Sequence, residues 1–408
     1  MSDRSGVSKS GPSTATAMCS ALPLIFVGLA LMAMGQTVLF AVLGPVAREI
    51  GLTELQTGAV ISAAALTIVL VVPAWGRASD RIGRKRVLVF ALGGFATTSL
   101  GFALVLEAGR AGWLSGTAAV AALVLTRVVY ALASGGGQPA AGGYIADTSP
   151  SETRSGAMAL IGGAFGIGAI LGPATAFLLG GLGVLAPVYA IAALGGAWAI
   201  LVAIFMREPV RVQDGDRRSA ALSAFDPRIR WILLGVVVVF AAISMVQQTI
   251  AFYVQDLGGL DAAGAARRTG LQIAVLALAN LCAFAAVAWR KPAPGPLIVG
   301  GGVVAALGVG LLLHPASLAW IAAAHAVMGA GFGMFLPGAQ TNASLAVEAD
   351  RQGAAAGYVA AAMAGGFIVG PLLGTGLYMA EPAWTYVVAA GLAGIGALVG
   401  SRRGSMRA

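Results

Sequence analysis

The sequence predicts an all-α membrane protein in which twelve transmembrane helices form two pseudo-symmetric six-helix halves. Three observations predict this fold class: the composition, the length of the apolar runs and a repeat between the two halves. Of the 408 residues, 58% are hydrophobic and only 10% are charged, whereas a soluble chain carries roughly 25% charged residues. So few charged residues cannot cover a water-facing surface, so most of the surface must lie against lipid.

The apolar runs are long enough to cross a bilayer, for which about 20 residues are needed. The polar stretch 1–20 lacks the pattern of a cleaved signal and is predicted to be a disordered tail. Residues 21–206 then form the first half, 207–230 a linker, 231–400 the second half and 401–408 a second tail. The predicted spans are 21–45, 54–75, 87–107, 116–145, 156–181, 184–206, 231–255, 269–289, 297–313, 318–344, 354–379 and 384–400.

Lysine and arginine are distributed unevenly between the two sides of the predicted bundle. Twenty of the 25 lie on the side that holds both termini, four lie on the other side, and Arg127 lies within a span. Cytoplasmic loops of membrane proteins carry such an excess. The pattern predicts a multi-pass protein of the inner membrane with both termini in the cytoplasm. It also accounts for the net charge of +9 without a nucleic-acid partner.

The second half repeats motifs of the first at an offset of 198 residues. The segment RVVYALASGGGQP at 127–139 aligns with HAVMGAGFGMFLP at 325–337, and the Gly-Pro pair at 172–173 aligns with that at 370–371. Two repeats related by an axis along the membrane normal place a substrate site near the midplane, between the halves. A chance likeness between Gly- and Pro-rich helices is the alternative.

The segment GRASDRIGRKRV at 76–87, between the second and third predicted spans, carries the most specific motif of the chain. Glycines permit a tight turn, and Asp80 can accept hydrogen bonds from Arg84. The string resembles the loop signature of the major facilitator superfamily. A basic segment that only sets topology is the alternative, but it would not require Asp80 or Gly83. The matching residues are Gly76, Asp80, Arg81, Gly83, Arg84 and Lys85.

The resemblance extends over the whole chain in span number and repeat, and it implies alternating access by the two halves. In the family this cluster latches the halves in the outward-open state, often with an acid at the inner end of the fourth span. Asp147 occupies that position here. The resemblance therefore implies a conformational latch formed by the six matching residues and Asp147.

The fifth predicted span contains GIGAILGP at 166–173, which resembles the motif typical of drug:proton antiporters. Glycines leave a smooth helix face for close contact, and a proline bends a helix. Generic packing of small residues is the alternative. The motif favours export among the activities of the family. The predicted helix-packing residues are Gly162, Gly166, Gly168, Gly172 and Pro173.

The fourth predicted span contains Arg127, the one charged residue inside a span. Charged residues at this depth are expensive and usually functional. The spacing places Arg127, Tyr130, Ser134 and Gln138 on one face of a helix. This stripe resembles the fourth-span motif of the family, whose buried arginine is tied to proton coupling, although Ala131 replaces the usual glycine. An arginine held structurally by backbone carbonyls is the alternative.

The other polar residues within the spans predict a mildly polar, neutral cavity, although each could instead make an ordinary interhelical hydrogen bond. None of the 16 acidic residues lies mid-span, so the first-helix carboxylate of many proton-coupled members is missing. Neutral or anionic substrates are therefore favoured over strongly cationic ones. His325 titrates nearest to neutral pH and is the predicted proton carrier, with a neutral, hydrogen-bonded histidine as the alternative. The additional substrate or coupling residues are Gln36, Ser244, Gln248 and His325.

These features together predict a secondary active transporter that exports a small organic solute, a drug-like compound or a secreted metabolite, by proton antiport. An importer or facilitator of a neutral or anionic metabolite is the alternative, since a fold does not set the direction of flux. An enzyme is disfavoured because the sequence offers no paired buried carboxylates, metal-ligand cluster or activated nucleophile. We expect a monomer in the lipid bilayer, with a small-molecule substrate and protons as partners, and no cofactor or metal.

Overall fold

The structure is a computed structural model that describes residues 14–149, 151–209, 222–315, 317–348 and 351–402. This part of the chain forms thirteen α-helices and two 3-10 turns, which supply twelve candidate membrane spans. The predicted all-helical membrane fold is confirmed. The helices are α1 (Thr14–Glu49), α2 (Glu54–Ile82), α3 (Arg84–Arg110), α4 (Gly116–Ser134), α5 (Gly137–Thr148), α6 (Ser151–Leu179), α7 (Ala186–Phe205), α8 (Arg230–Gly258), α9 (Ala262–Arg290), α10 (Pro294–Gly310), α11 (Leu318–Leu345), α12 (Gln352–Ala380) and α13 (Pro382–Gly400).

Several predicted boundaries were wrong because helices continue past the apolar runs, and two of them bear on the motifs. Helix α1 begins at Thr14, within the stretch predicted to be a tail. Helix α2 continues to Ile82, so most of the predicted basic loop is helical and Gly83 alone connects it to α3. Helical hydrogen bonds need no apolar side chains, so a helix can extend into the polar interface. The rest of the predicted tails and the middle of the linker lie outside the described residues.

The fourth predicted span is two helices rather than one. A break at Gly135 and Gly136 separates α4 from α5, although both glycines keep nearly helical dihedral angles. Pro139 has no N–H to donate to the Gly135 carbonyl four residues earlier, which disfavours a regular helix here. Near the break, the Leu132 carbonyl accepts a hydrogen bond from Nε1–H of Trp75, on α2, at 2.7 Å. The two helices still form one membrane span.

Helices α1 to α7 form the first half of the bundle and α8 to α13 form the second half. Helices α1 and α8 are the most deeply buried spans and pack against each other at the centre. The halves also meet along two symmetric pairs, α2 with α12 and α6 with α9. We call the face where α2, α5, α9 and α11 end the basic face, and the other the opposite face.

The two symmetric helix pairs meet through matching glycine contacts. A Cβ atom added to Gly58 of α2 would lie 2.8 Å from the Pro371 carbonyl oxygen of α12. A Cβ atom added to Gly270 of α9 would collide with the Pro173 carbonyl of α6 and lie 2.9 Å from the Phe177 amide nitrogen. The two prolines are repeat-related at the offset of 198 residues. Each Gly-Pro motif therefore receives a glycine from the other half of the protein.

Ionic contacts join the halves at the opposite face. Arg48 of α1 pairs with Glu54 of the same half at 2.7 Å and with Asp256 of α8 in the second half. The Tyr378 hydroxyl of α12 donates to Asp256 at 2.7 Å, and the Arg48 guanidinium lies 4.7 Å from the centre of the Phe252 ring. These contacts close the bundle at this face.

The basic face has a different arrangement in the described residues. Helices α4 and α5 pack extensively against first-half helices, and α11 packs against second-half helices. Gln138 of α5 and Gln340 of α11 are both exposed. In the described residues, ionic contacts therefore join the halves at the opposite face, whereas at the basic face α5 and α11 each pack mainly within their own half.

We expect Gly270→Leu to lower the thermal unfolding temperature of the detergent-purified protein. The added side chain must push α9 away from α6, and overpacking of this kind costs about 1–3 kcal/mol. Gly101→Leu is the matched control, because a Cβ at Gly101 of α3 would meet no neighbouring atom within 4 Å. Equal unfolding temperatures for the two variants would contradict the tight contact at Gly270.

Candidate transport site and conformational motifs

Three of the predicted latch residues lie together at the basic face. The Arg84 guanidinium at the start of α3 pairs with Asp80 of α2 at 2.6 Å and with Asp147 of α5 at 3.0 Å. It also donates to the Ser79 hydroxyl at 3.1 Å. Arg84 therefore connects three helices of the first half, and a displacement of any of these helices would change its contacts.

The turn that presents Arg84 depends on the predicted Gly83 and on two residues that the sequence analysis did not select, Glu208 and Gly143. Gly83 has a φ of 117°, a conformation that favours glycine. The Glu208 carboxylate accepts the Lys85 backbone N–H at 3.2 Å at the positive end of the α3 dipole. A Cβ at Gly143 of α5 would lie 2.5 Å from Nη1 of Arg84. Gly143 therefore leaves the space through which Arg84 reaches Asp147.

Two other predicted latch residues, Gly76 and Arg81, lie in the last part of α2. A Cβ at Gly76 would meet no neighbouring atom within 4 Å, so this glycine makes no close contact in the observed conformation. Arg81 is exposed at the end of α2.

Only part of the predicted glycine face of α6 contacts another helix. A Cβ at Gly168 or Gly172 would lie 2.5 Å from the backbone carbonyl oxygen of Ala30 or Met34, respectively, on α1. Gly162 and Gly166 were also expected to pack closely, but a Cβ at either position would meet no atom within 4 Å. These two glycines lie nearer the basic face than Gly168 and Gly172.

A side-chain hydroxyl reinforces this contact in each half of the protein. Thr37 of α1 donates to the Gly168 carbonyl of α6 at 3.3 Å. In the second half, Ser244 of α8 donates to the Gly366 carbonyl of α12 at 3.1 Å, and Gly366 follows Gly168 by the repeat offset of 198 residues. Ser244 was predicted to line the cavity, but it is fully buried and holds two helices together instead.

Arg127 lies inside the first half, in an uncharged setting. Only 2% of the residue is exposed, and Nη2 donates to the Gln36 amide oxygen at 2.9 Å. The guanidinium carbon lies 4.1 Å from the centre of the Tyr130 ring and 5.7 Å from that of Phe102. The structure thus brings together Gln36, Arg127 and Tyr130 among the predicted coupling residues.

The predicted polar stripe of the fourth span does not continue along one helix. Ser134 is buried at the end of α4 and its hydroxyl has no hydrogen-bond partner. Gln138 lies beyond the break, on α5, where it is exposed. The stripe was predicted on the assumption of one regular helix, which Pro139 prevents. Arg127 and Gln138 therefore have different environments.

Gln248 and His325 lie apart from the Arg127 group, in the second half. Gln248 of α8 donates to the Thr57 hydroxyl of α2 at 3.3 Å, across the halves, while its own amide oxygen has no partner. Nδ1 of His325 lies 2.9 Å from the Ile321 carbonyl of its own helix. This bond assigns the proton to Nδ1 and leaves Nε2 as the acceptor when the ring is neutral.

The linker is joined to the second half by charged side chains at the basic face. Arg228 pairs with Asp226 at 3.0 Å and with Glu348, just beyond α11, at 2.9 Å. Its hydrogen bonds hold the pKa of Asp226 below the ordinary value of a carboxyl group. Within the described residues, no group of three His, Cys, Asp or Glu side chains is arranged to hold a metal ion.

This architecture, with two repeated sets of six spans, is that of a membrane transport protein. The family model described as Major Facilitator Superfamily matches residues 25–344, and the chain belongs to this superfamily. The expectation drawn from the sequence motifs is therefore confirmed. The protein is a multi-pass membrane transporter of small-molecule substrates and not an enzyme.

Sequence relatives show the same family, and a solved structure shows the same fold. The chain is 31% identical to the class C tetracycline resistance protein of Escherichia coli, over 79% of this chain and 80% of that one. It is 30% identical to the class G tetracycline resistance protein of Vibrio anguillarum, over 90% and 93%. A bacterial homologue of the human lysosomal transporter Spinster has the same fold, with a TM-score of 0.77, 16% identity and coverage of 96% and 97%.

We expect Gly143→Leu to increase hydrogen–deuterium exchange at the end of α5. The added side chain would occupy the position of the Arg84 guanidinium and break its pair with Asp147, which loosens the last turn of the helix. Gly76→Leu is the matched control at the same face, because its side chain would enter open space. Unchanged exchange at residues 144–148 in Gly143→Leu would contradict the role of Gly143.

Proposed function

We propose that this protein exports a small organic solute, a drug-like compound or a secreted metabolite, by proton antiport with alternating access. The observation that carries the proposal is the Arg48–Asp256 closure at the opposite face, together with the packing of α5 and α11 within their own halves at the basic face. The two tetracycline resistance relatives support export and a drug-like substrate. The Gly-Pro motif of α6 supports the same direction.

In this proposal the basic face lies in the cytoplasm, together with both termini, and the protein is a monomer of the inner membrane. The observed conformation is then inward-open, and a solute enters between the halves from the cytoplasm or the inner leaflet. Opening to the outside requires Arg48 to leave Asp256. Because Arg48 keeps Glu54 as a partner within its own half, it stays paired when the halves separate there.

The sequence motifs have distinct roles in this cycle. We assign the latch to Asp80, Arg84 and Asp147, which would meet the second half when the basic face closes. Gly168 and Gly172 hold α6 to α1, and Pro173 receives Gly270. Gln138 and Gln248 are candidates for substrate contact. An importer of a neutral or anionic metabolite is the second candidate, favoured by the absence of an acidic residue from the middle of the described spans.

The proton carrier is the least constrained part of the proposal. Arginine stays charged, so Arg127 cannot carry a proton, and His325 is the one histidine buried inside a span. A proton arriving from the outside would convert Nε2 of His325 from an acceptor into a donor and place a positive charge in the second half. The next candidates are the acids Glu107 and Asp256 at the ends of α3 and α8.

We expect inside-out vesicles that contain the purified protein to accumulate tetracycline when their lumen is made acidic. His325→Gln should lose most of the dependence on the pH gradient, because glutamine forms hydrogen bonds but takes up no proton. His314→Gln is the matched control, since His314 is exposed at the opposite face and outside the spans. Measured initial rates with and without the gradient separate coupling from binding.

The outcomes separate the proposals. Gradient-driven accumulation that persists in His325→Gln would overturn the role of His325 but leave export intact. Gradient-driven loss of solute from the lumen would overturn export in favour of import. Since tetracycline is only the first probe, a panel of cationic, neutral and anionic drugs gives the substrate class.

A further inference from the structure

Arg127 is a buried cation whose hydrogen bonding is incomplete. Only 2% of the residue is exposed, and its Nε–H has no hydrogen-bond partner. Its side-chain partner, the Gln36 amide, carries no charge. Among the described residues no carboxylate lies within ion-pair distance of the guanidinium. A charge removed from water is costly unless it is paired. A negatively charged partner would therefore stabilise the buried guanidinium.

The neighbouring rings compensate for only part of this charge. The guanidinium lies over the faces of Tyr130 and Phe102, which attract a cation through the ring quadrupole. Rings of this kind accept no N–H bond of ordinary strength. Because both rings and Gln36 are neutral, the pocket as a whole keeps the positive charge of Arg127.

A small cavity adjoins the guanidinium inside the first half. Arg127 and Ser99 are its two polar lining residues, and the remainder are apolar residues of α1, α3 and α7, Phe102 and Ile191 among them. The cavity has room for a body about the size of one water molecule. Its lining contains a cation and a hydroxyl that can both donate hydrogen bonds, and no acidic group.

We propose that Arg127, with Ser99, binds a monovalent anion in this cavity. Chloride would supply the counter-charge that Arg127 lacks and would accept hydrogen bonds from the two donors. In the observed conformation an organic solute is too large to enter. If the cavity widens during transport, the carboxylate or enolate of a substrate could take the same place, and that second source of the anion rests on the proposed function.

The test is a thermal unfolding titration of the purified protein. Chloride replaces gluconate at constant ionic strength, so that screening stays fixed while the halide concentration rises. A ligand that binds only the folded state raises the unfolding temperature with its concentration. We expect the unfolding temperature of the wild type to rise with each tenfold increase in chloride concentration. A titration with bromide should raise the unfolding temperature in the same way.

Two variants assign the effect to the cavity. Gln36→Glu places a carboxylate next to Nη2 of Arg127, so it supplies the counter-charge internally and should abolish the chloride dependence without loss of stability. Arg127→Gln removes the cation and should abolish the dependence as well. Arg110→Gln is the control for exposed arginines, since Arg110 pairs with Glu49 at the opposite face, and it should keep the wild-type response.

Each outcome decides between the sources. A chloride response in the wild type that Gln36→Glu loses supports an inorganic anion. No chloride response, but stabilisation by an anionic transported drug that Gln36→Glu loses, assigns the site to the substrate. No response to either, or an equal response in Gln36→Glu and the wild type, overturns the anion site. Export by the wild type is measured separately, so its failure is distinguishable.

Discussion

The close approach of helix backbones at the two Gly-Pro motifs is the contact on which the rest of the structure depends. In lipid, apolar side chains gain nothing by moving from tails to another helix, so helices associate through packing and hydrogen bonds at small residues. Gly58 meets Pro371 and Gly270 meets Pro173, so these two symmetric contacts between the halves use the same pair of residue types. Their symmetry keeps the two halves on a common axis.

This arrangement explains why each half can move as a unit. Within a half, the Thr37 and Ser244 hydroxyls join the first helix to the Gly-Pro helix. Because both partners of each bond belong to the same half, a rotation of the halves leaves these bonds intact. Between the halves, the glycine contacts offer little side-chain interdigitation and so permit rotation. The Arg48–Asp256 pair lies farther out, at the opposite face, where rotation produces the largest displacement. Ionic contacts at the rim then decide which face is open.

The sequence predicted the span number, the repeat and the charge cluster of Asp80, Arg84 and Asp147, because apolar length, offset and charge placement are local features. It did not predict Gly143, whose importance arises from the path of Arg84 across two other helices. It placed Gly162 and Gly166 on a packed face, since sequence spacing identifies a helix face but not the height at which the neighbour diverges. Ser244 appeared to be a cavity residue because a polar group in a span does not reveal which backbone carbonyl lies opposite.

The central claim is that the two faces open in turn about the Gly-Pro contacts. Spin labels at Trp113 and Glu381 report the separation of the halves at the opposite face, and labels at Arg86 and Leu345 report it at the basic face; all four are exposed. In lipid, Asp256→Asn should lengthen the first distance and shorten the second in the same fraction of molecules. Distances that stay unchanged, or that lengthen together, would contradict the account.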